Sequence, residues 1–274
     1  MTARDDVLLI CVNYRKPAET QHFVATALEQ KLSSSLRLVV VDNSPKPESG
    51  PNDPRVKTIA TGENLGYFGG AAAALADHLK SHPMPEWVVV SNPDVFFPDR
   101  DVLQRLCDAH RDDEPAVIAP SMRTVDTSVE QNPYMRVRPS RFRMHVYRWI
   151  FSAYPIDAAY QGLSWIKHRT LESVSKERPP SPPASAEKIY APQGAFIAFH
   201  RSYFERGGTL DHGAFLFGEE IFVAETARRL GLTVLYEPAV AVEHTERSTA
   251  AGLFNRDTSR YRRQASRYLA QTFF

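Results

Sequence analysis

The sequence predicts an α/β fold with a mostly parallel central sheet flanked by helices. Apolar runs of strand length alternate with helical segments in the order β-α-β-β-α-β-α-β between residues 7 and 120. The first run, Val7 to Tyr14, is apolar almost without interruption, as suits a strand covered on both faces. Several runs end abruptly in polar residues, which puts chemistry at the carboxyl edge of the sheet, where ligands of open α/β sheets sit.

Arg15-Lys16-Pro17 breaks the first run, and Glu19 to Gln30 follows as a helix with Phe23, Ala27 and Leu28 inward. Leu36 to Ser44 is the second strand, with Asp42-Asn43-Ser44 at its tip, and Pro45 to Pro54 is a loop. Val56 to Ala60 is a short third strand. Gly62 to Gly70 then forms a glycine-rich turn that opens a helix over Ala71 to Lys80; glycines there allow close approach of a ligand, or simply close helix packing. Trp87 to Asp94 is the fourth strand. It stops because Pro93 cannot donate to a ladder and holds Asn92 extended, which delivers Asp94 to the strand end. Asp99 caps a helix running to His110, and Ala116 to Pro120 is a fifth strand.

The pattern then changes. Asn132 to Ile150 holds Arg136, Arg138, Arg141, Arg143 and Arg148 among aromatic residues, with no acid. This suits a solvated face with inward aromatics, a surface for an anionic acceptor such as a lipid pyrophosphate, membrane headgroups, or a single-stranded nucleic-acid groove. Tyr160 to Lys176 reads as a helix and Arg178 to Pro183 as a proline-rich break. Ile189 to His200 is strand material interrupted by Pro192-Gln193-Gly194. Phe215 to Gly218 leads into a helix that starts at Glu219-Glu220 and ends before Gly231, a fitting left-handed stop. Adjacent acids at a helix start are favoured by the dipole, yet they cannot both point outward alike, so one faces inward. Val234 to Tyr236 and Ala239 to His244 are strands, the second ending in an imidazole. Leu253 to Phe274 is a basic amphipathic helix, suited to a membrane surface or to docking back on the domain.

At 274 residues, 43% hydrophobic and 24% charged, the chain has the composition of a soluble globular domain. A net charge of +1 gives no global field for nucleic acid. Two cysteines, Cys11 and Cys107, cannot build a disulfide framework and suit a reducing cytosol. No apolar run approaches the roughly 18 residues of a membrane span, and the first residues lack a signal-peptide core.

Six short motifs, in order, resemble those of inverting family 2 glycosyltransferases with the GT-A fold, closest to rhamnosyltransferase-like and galactofuranosyltransferase-like members. They are Val12-Asn13-Tyr14, Val41-Asp42-Asn43-Ser44, Asn64-Leu65-Gly66-Tyr67-Phe68-Gly69-Gly70, Asn92-Pro93-Asp94, Phe215 to Glu220, and His244. Together they cover residues 7 to about 249.

The resemblance implies a GT-A domain over 1–249, with a nucleotide-binding half (1–122) and an acceptor-side half (123–249) that includes a proline-rich loop near 178–186. A basic helix over 250–274 extends the acceptor side. It assigns Asn13, Tyr14, Asp42, Asn64, Gly66, Gly69, Asn92, Asp94, Gln193 and Gly194 to the nucleotide sugar. Mg²⁺ or Mn²⁺ would sit on Asp94 and His244, and Glu220, or else Glu219, would be the catalytic base. Asn92 stands where the family's Asp-X-Asp motif has its first acid, so the metal site carries one negative charge less and leans on His244 and the donor phosphates.

The implied activity is transfer from dTDP-rhamnose or a UDP-sugar to a glycan or lipid-linked glycan in bacterial surface polysaccharide synthesis. It would take place in the cytoplasm or at the inner face of the plasma membrane, with peripheral contact through the 136–148 stretch and the last helix. No nucleic-acid partner is implied, and no motif specifies an oligomeric state. Two other readings share the early sheet. One is a sugar-nucleotide nucleotidyltransferase, for which Arg15 and Lys16 lie in roughly the right place. The other is a non-catalytic nucleotide-sugar-binding subunit.

Overall fold

A computed structural model describes residues 6–47, 53–109, 115–174, 185–245 and 255–274, with the backbone alone over 165–174. The middle of the Pro45–Pro54 loop, His110, the end of the helix expected to reach Lys176, most of the proline-rich loop and Leu253 lie outside the described residues. The strands are β1 (Val7–Asn13), β2 (Leu36–Asp42), β3 (Val56–Ala60), β4 (Trp87–Ser91), β5 (Val95–Phe96), β6 (Pro115–Thr124), β7 (Glu187–Ile189), β8 (Phe196–His200) and β9 (Thr233–His244). The helices are α1 (Pro17–Leu28), α2 (Tyr67–Leu79), α3 (Val102–Ala109), α4 (Arg141–Ile150), α5 (Tyr154–Val174), α6 (Arg201–Glu205), α7 (Glu219–Arg229) and α8 (Arg256–Thr272).

These strands form one sheet in the order β3-β2-β1-β4-β8-β6-β9-β5, with β7 alongside β9. The ladders among β1 to β4 are parallel, as the alternating pattern requires. Beyond β4 the sheet is mixed: β8 runs antiparallel to both β4 and β6, while β6 and β9 are parallel. The two strands expected over 234–236 and 239–244 are one strand, β9, whose register against β6 shifts between Pro120 and Ser121.

The period of two along each strand divides the core into two layers. Leu8, Ile10, Val12, Val39, Val41, Val88 and Val90 face α2, α7 and α8. Val7, Leu9, Cys11, Leu38, Val40, Trp87 and Val89 face α1 and α3. The unbroken apolar runs are therefore what a doubly covered sheet demands. The last helix docks back on the domain: Leu269, Ala270, Phe273 and Phe274 are buried in the first layer. At about 1.5–3 kcal/mol for each large apolar side chain buried, this docking consumes the helix's apolar stripe.

Two helix starts differ from expectation. Helix α2 begins at Tyr67, so Gly69 and Gly70 lie in its first turn and only Gly62 and Gly66 take positive φ in the approach. Helix α3 begins at Val102; Asp99 instead accepts from the Asp101 amide and from Arg105.

Candidate active site

The carboxyl ends of β1, β2 and β4 meet at one edge. In the ladder Asn13 stands opposite Asp42, and the Asn13 Nδ2 donates to Asp42 Oδ1 at 3.2 Å. Asp42 Oδ1 also accepts the Ser44 amide, and Asn13 Oδ1 accepts the Lys16 amide. This network holds the loops after both strands in place. Tyr14 projects from it, 41% exposed, with the Arg15 guanidinium over its ring. Asn43 Nδ2 donates to the Gly66 carbonyl, and Asn64 Oδ1 accepts the Gly66 amide, so the glycine loop is tied to the tip of β2.

Gly66 has φ +78°, and a Cβ there would lie 2.1 Å from the Phe215 carbonyl oxygen. That contact brings the loop against the segment leading into α7. Gly69 is different: it packs against Leu65 within its own turn.

Past β4, the Asn92 amide donates to the Ala195 carbonyl, which fastens Asn92-Pro93-Asp94 to the Gln193-Gly194 turn. That turn is itself braced: the Gln193 amide donates to Asn132 Oδ1, and Gln193 Oε1 accepts the Ala195 amide. Strand β5 pairs Val95 with His244, and the Thr245 amide donates to the Asp94 carbonyl. The short β5, absent from the sequence reading, is what places His244 Nε2 at 3.4 Å from Asp94 Oδ1.

His244 is 6% exposed, and its Nδ1 meets Gln131 Oε1 at 2.9 Å. An amide oxygen only accepts, so Nδ1 carries a proton, and Nε2 is the ring nitrogen turned toward Asp94. Asp94 Oδ1 is buried without a hydrogen-bond partner, while Oδ2 accepts from Lys16 Nζ at 2.5 Å. Burial would raise the Asp94 pKa; the neighbouring His244 and Lys16 outweigh it and hold the carboxyl below its usual range.

An unpartnered carboxylate oxygen facing an imidazole nitrogen fits a divalent cation. Among the described residues no group of three or more His, Cys, Asp or Glu gathers for a metal. A cation here would thus have two protein donors and positions left for ligand oxygens. From the sequence Lys16 entered only under the nucleotidyltransferase reading, and Gln131 not at all. They lie 78 and 113 residues from the groups they serve.

The second half of the site is the start of α7. Phe217 (φ +74°) and Gly218 (φ +83°) turn the chain sharply into Glu219 and Glu220. The Phe217 carbonyl meets His212 Nε2, and a Cβ on Gly218 would strike Leu269 of α8. Glu219 is the inward acid, 6% exposed. Glu220 is less buried, and its carboxylate lies against Gly194, where an added Cβ would come within 2.7 Å of Oε1. Both acids border a cavity of about 260 Å³ lined also by Tyr134, Tyr147, Phe217 and Arg262.

Burial and then the charge of Glu220 push Glu219 up to about 8. Burial also raises Glu220, against hydrogen bonds from its own amide and that of Gly194. The Tyr134 hydroxyl is raised first by the Glu220 charge. Burial, with the Glu220 charge beside it, thus holds a proton on Glu219 into the neutral range. Tyr67 joins the two halves: burial and then the Glu219 charge, with Asp94 and Glu220 further down, raise its hydroxyl well above normal.

A stability prediction follows from Glu219. Its folded value lies above its unfolded one, so the folded chain binds more protons between about pH 4.5 and 8, and stability is lost as pH rises through that window. Glu219→Gln, isosteric with the protonated acid, should melt like the unsubstituted chain near pH 5 and gain on the order of 2 kcal/mol by about pH 8. Melting curves whose difference does not grow with pH would refute the buried-acid assignment.

The basic stretch resolves residue by residue. Arg136 pairs with Glu187, and Arg138 with the fully buried Glu225, which also binds Tyr190 and Arg228. Arg141 donates to the Phe274 carbonyl. Its acids come from other parts of the chain, which a local reading could not supply.

No protein-family model matches the chain. It is 25% identical over 252 residues to the N-acetylglucosaminyl-diphospho-decaprenol L-rhamnosyltransferase of two Mycobacterium tuberculosis strains, a match covering 87% of this chain and 76% of the relative. Among solved structures, GalNAc-T7 with UDP, GalNAc and Mn²⁺ has a TM-score of 0.55 at 12% identity and shares the fold. The mannosyltransferase PcManGT from Pyrobaculum calidifontis, in complex with GDP-Man and Mn²⁺, has a TM-score of 0.49 at 18% identity. The matches cover 93% and 92% of this chain but only 47% and 60% of those two proteins.

Proposed function

We propose that this chain, a glycosyltransferase of the GT-A fold, transfers a sugar with inversion from a nucleoside-diphosphate sugar to a lipid-linked diphosphate glycan. The observation carrying the reading is the pairing of two sites at one sheet edge: Asp94 facing His244, and Glu220 in a cavity behind the Gln193-Gly194 turn. The donor in this reading is dTDP-rhamnose or a UDP-sugar; the sequence likeness to the rhamnosyltransferase supports a rhamnosyl donor and an N-acetylglucosaminyl-diphospho-polyprenol as acceptor class.

In this reading Asn13, Tyr14 and Asp42 hold the nucleoside, Tyr14 offering an exposed ring for the base. Asn64, Gly66, Gly69 and Asn92, with Gln193 and Gly194, form the wall around the sugar and diphosphate. Asp94 and His244 hold Mg²⁺ or Mn²⁺, which when bound neutralises charge on the leaving diphosphate. Lys16 adds a second positive charge beside Asp94. Glu220 accepts the proton of the acceptor hydroxyl as that oxygen attacks the anomeric carbon from the face opposite the diphosphate. The bond to the diphosphate oxygen breaks, and its electrons leave with the nucleotide. Glu219, kept neutral by burial, sets the helix start without competing for the proton. Among the described residues no helix is long and apolar enough to cross a membrane.

The test is a thermal-shift screen of nucleoside-diphosphate sugars with and without Mn²⁺. At about 100-fold excess over Kd, the cognate donor with metal should raise Tm by roughly 5 °C or more. EDTA or Asp94→Ala should remove that shift. Protection by a nucleoside triphosphate alone would favour the nucleotidyltransferase reading and sink this one. Donor protection without transfer or donor hydrolysis would leave a binding subunit.

A further inference from the structure

The helices α4 and α8 border two cavities. Met144 and Tyr147 of α4, Phe151 just past its end, and Arg262, Ser266 and Leu269 of α8 line the one at Glu220. Next to them, His145, Arg148 and Trp149 of α4, Ser152 just past its end, and Arg263 and Arg267 of α8 line a second, open cavity of about 300 Å³, where all but the half-buried Arg263 are exposed. Three guanidinium groups converge there with no acid in the lining.

Neighbouring arginines on these helices are engaged: Arg143 with the Tyr147 hydroxyl, Arg262 with the buried Asp157, Arg260 with Asp257. Arg148, Arg263 and Arg267 have no acidic partner among the described residues. Arg263 Nε is shut off from water and makes no hydrogen bond. Like charges in one cavity repel, and a buried donor without an acceptor is costly; an anion with several oxygens relieves both. The planar guanidinium fork suits phosphate oxygens in particular. Trp149, 65% exposed, stands at the rim, and Phe142, 80% exposed, lies two turns earlier on the same helix.

We propose that this arginine cavity binds the diphosphate of the lipid-linked acceptor, with Trp149 against the first part of its lipid chain. The assignment rests on reading the Glu220 cavity as the acceptor-sugar site. It gives the two ends of one molecule a place on the same helix pair: the sugar beside the base, the diphosphate among Arg148, Arg263 and Arg267. It also gives the Arg263 Nε, buried without a hydrogen-bond partner, oxygens to donate to.

The test compares the unsubstituted chain with Arg148→Gln, Arg263→Gln and Arg267→Gln, singly and combined, using N-acetylglucosamine linked through diphosphate to a short prenyl chain. Each change should raise the acceptor KM about tenfold and leave kcat and the thermal shift by donor unchanged, with Arg148→Lys recovering part of the loss. Calorimetric titration with inorganic pyrophosphate should show binding that the combined variant loses. An acceptor KM equal to that of the unsubstituted chain overturns the assignment alone. So does an unchanged KM alongside lost binding to phosphatidylglycerol vesicles, which would make the cavity a site for membrane headgroups. Donor protection without transfer to this acceptor in the unsubstituted chain overturns the reading of the Glu220 cavity, and the assignment with it.

Discussion

Glu220→Gln is expected to cut sugar transfer by about a hundred- to ten-thousandfold, the span that a positioned general base contributes, while donor binding survives. The substitution keeps the side chain's shape and removes only its ability to take a proton. Glu220 sits at the N-terminus of α7, where the dipole favours its charge, with its carboxylate against Gly194 and Tyr134 beside it in the cavity. Glu219 is the more buried of the two and retains its proton. The two glutamines are thus expected to behave differently: Glu219→Gln keeps most of the transfer rate, and Glu220→Gln loses it. Single-turnover rates with saturating donor would decide this. Normal turnover by Glu220→Gln, or an equal loss in both variants, would remove Glu220 as the base. Because burial raises the Glu220 carboxyl above its usual range, the transfer rate should fall on acidification as that carboxyl takes a proton, starting at a higher pH than for an exposed carboxylate.

Gly66→Ala is expected to destabilise the fold by roughly 3–5 kcal/mol and to abolish activity with it. The residue has φ +78°, and an added Cβ would lie 2.1 Å from the Phe215 carbonyl, a backbone atom that cannot swing aside. Phe215 is itself pinned, its ring 4.6 Å from that of Tyr261 on α8. Gly62→Ala is the internal control. It has φ +73° but nothing within 4 Å of an added Cβ, so only the strain of about 1 kcal/mol applies. Urea midpoints for the two variants measure the difference. If Gly66→Ala were no less stable than Gly62→Ala, the contact between the glycine loop and the base segment would not be part of the fold.

The first half of the sheet was legible in the sequence because its signals are local. Continuous apolar runs mark strands buried on two faces, and Pro93 ends β4 whatever surrounds it. The helix start at Glu219 is announced by Gly218 and the acids that follow. Element ends were less legible. Helix α2 starts before Gly69 and Gly70 because a close-packed first turn tolerates glycine, and α3 starts after Asp99 because that side chain is used by Arg105 instead. Helix α8 illustrates the same limit: its composition suited a membrane surface or the core equally, and only the space left on one face of the sheet decided for the core.

The site divides along the same line. Local sequence signals were enough to say which chemical groups reach the carboxyl edge, since a strand that stops at Asn13, Asp42 or Ser91 presents the residues after it there in any parallel α/β sheet. The tertiary structure decided who faces whom. Pairing β5 with β9 sets His244 opposite Asp94, and α1 brings Lys16 to the same carboxylate. Gly66 meets Phe215, α8 closes over Gly218, and Arg138 goes to Glu225. Each of these contacts joins residues far apart in the chain. Periodicity and propensity act over a few turns at most; long-range partners are fixed by strand order and by which side chains the closed core leaves room for.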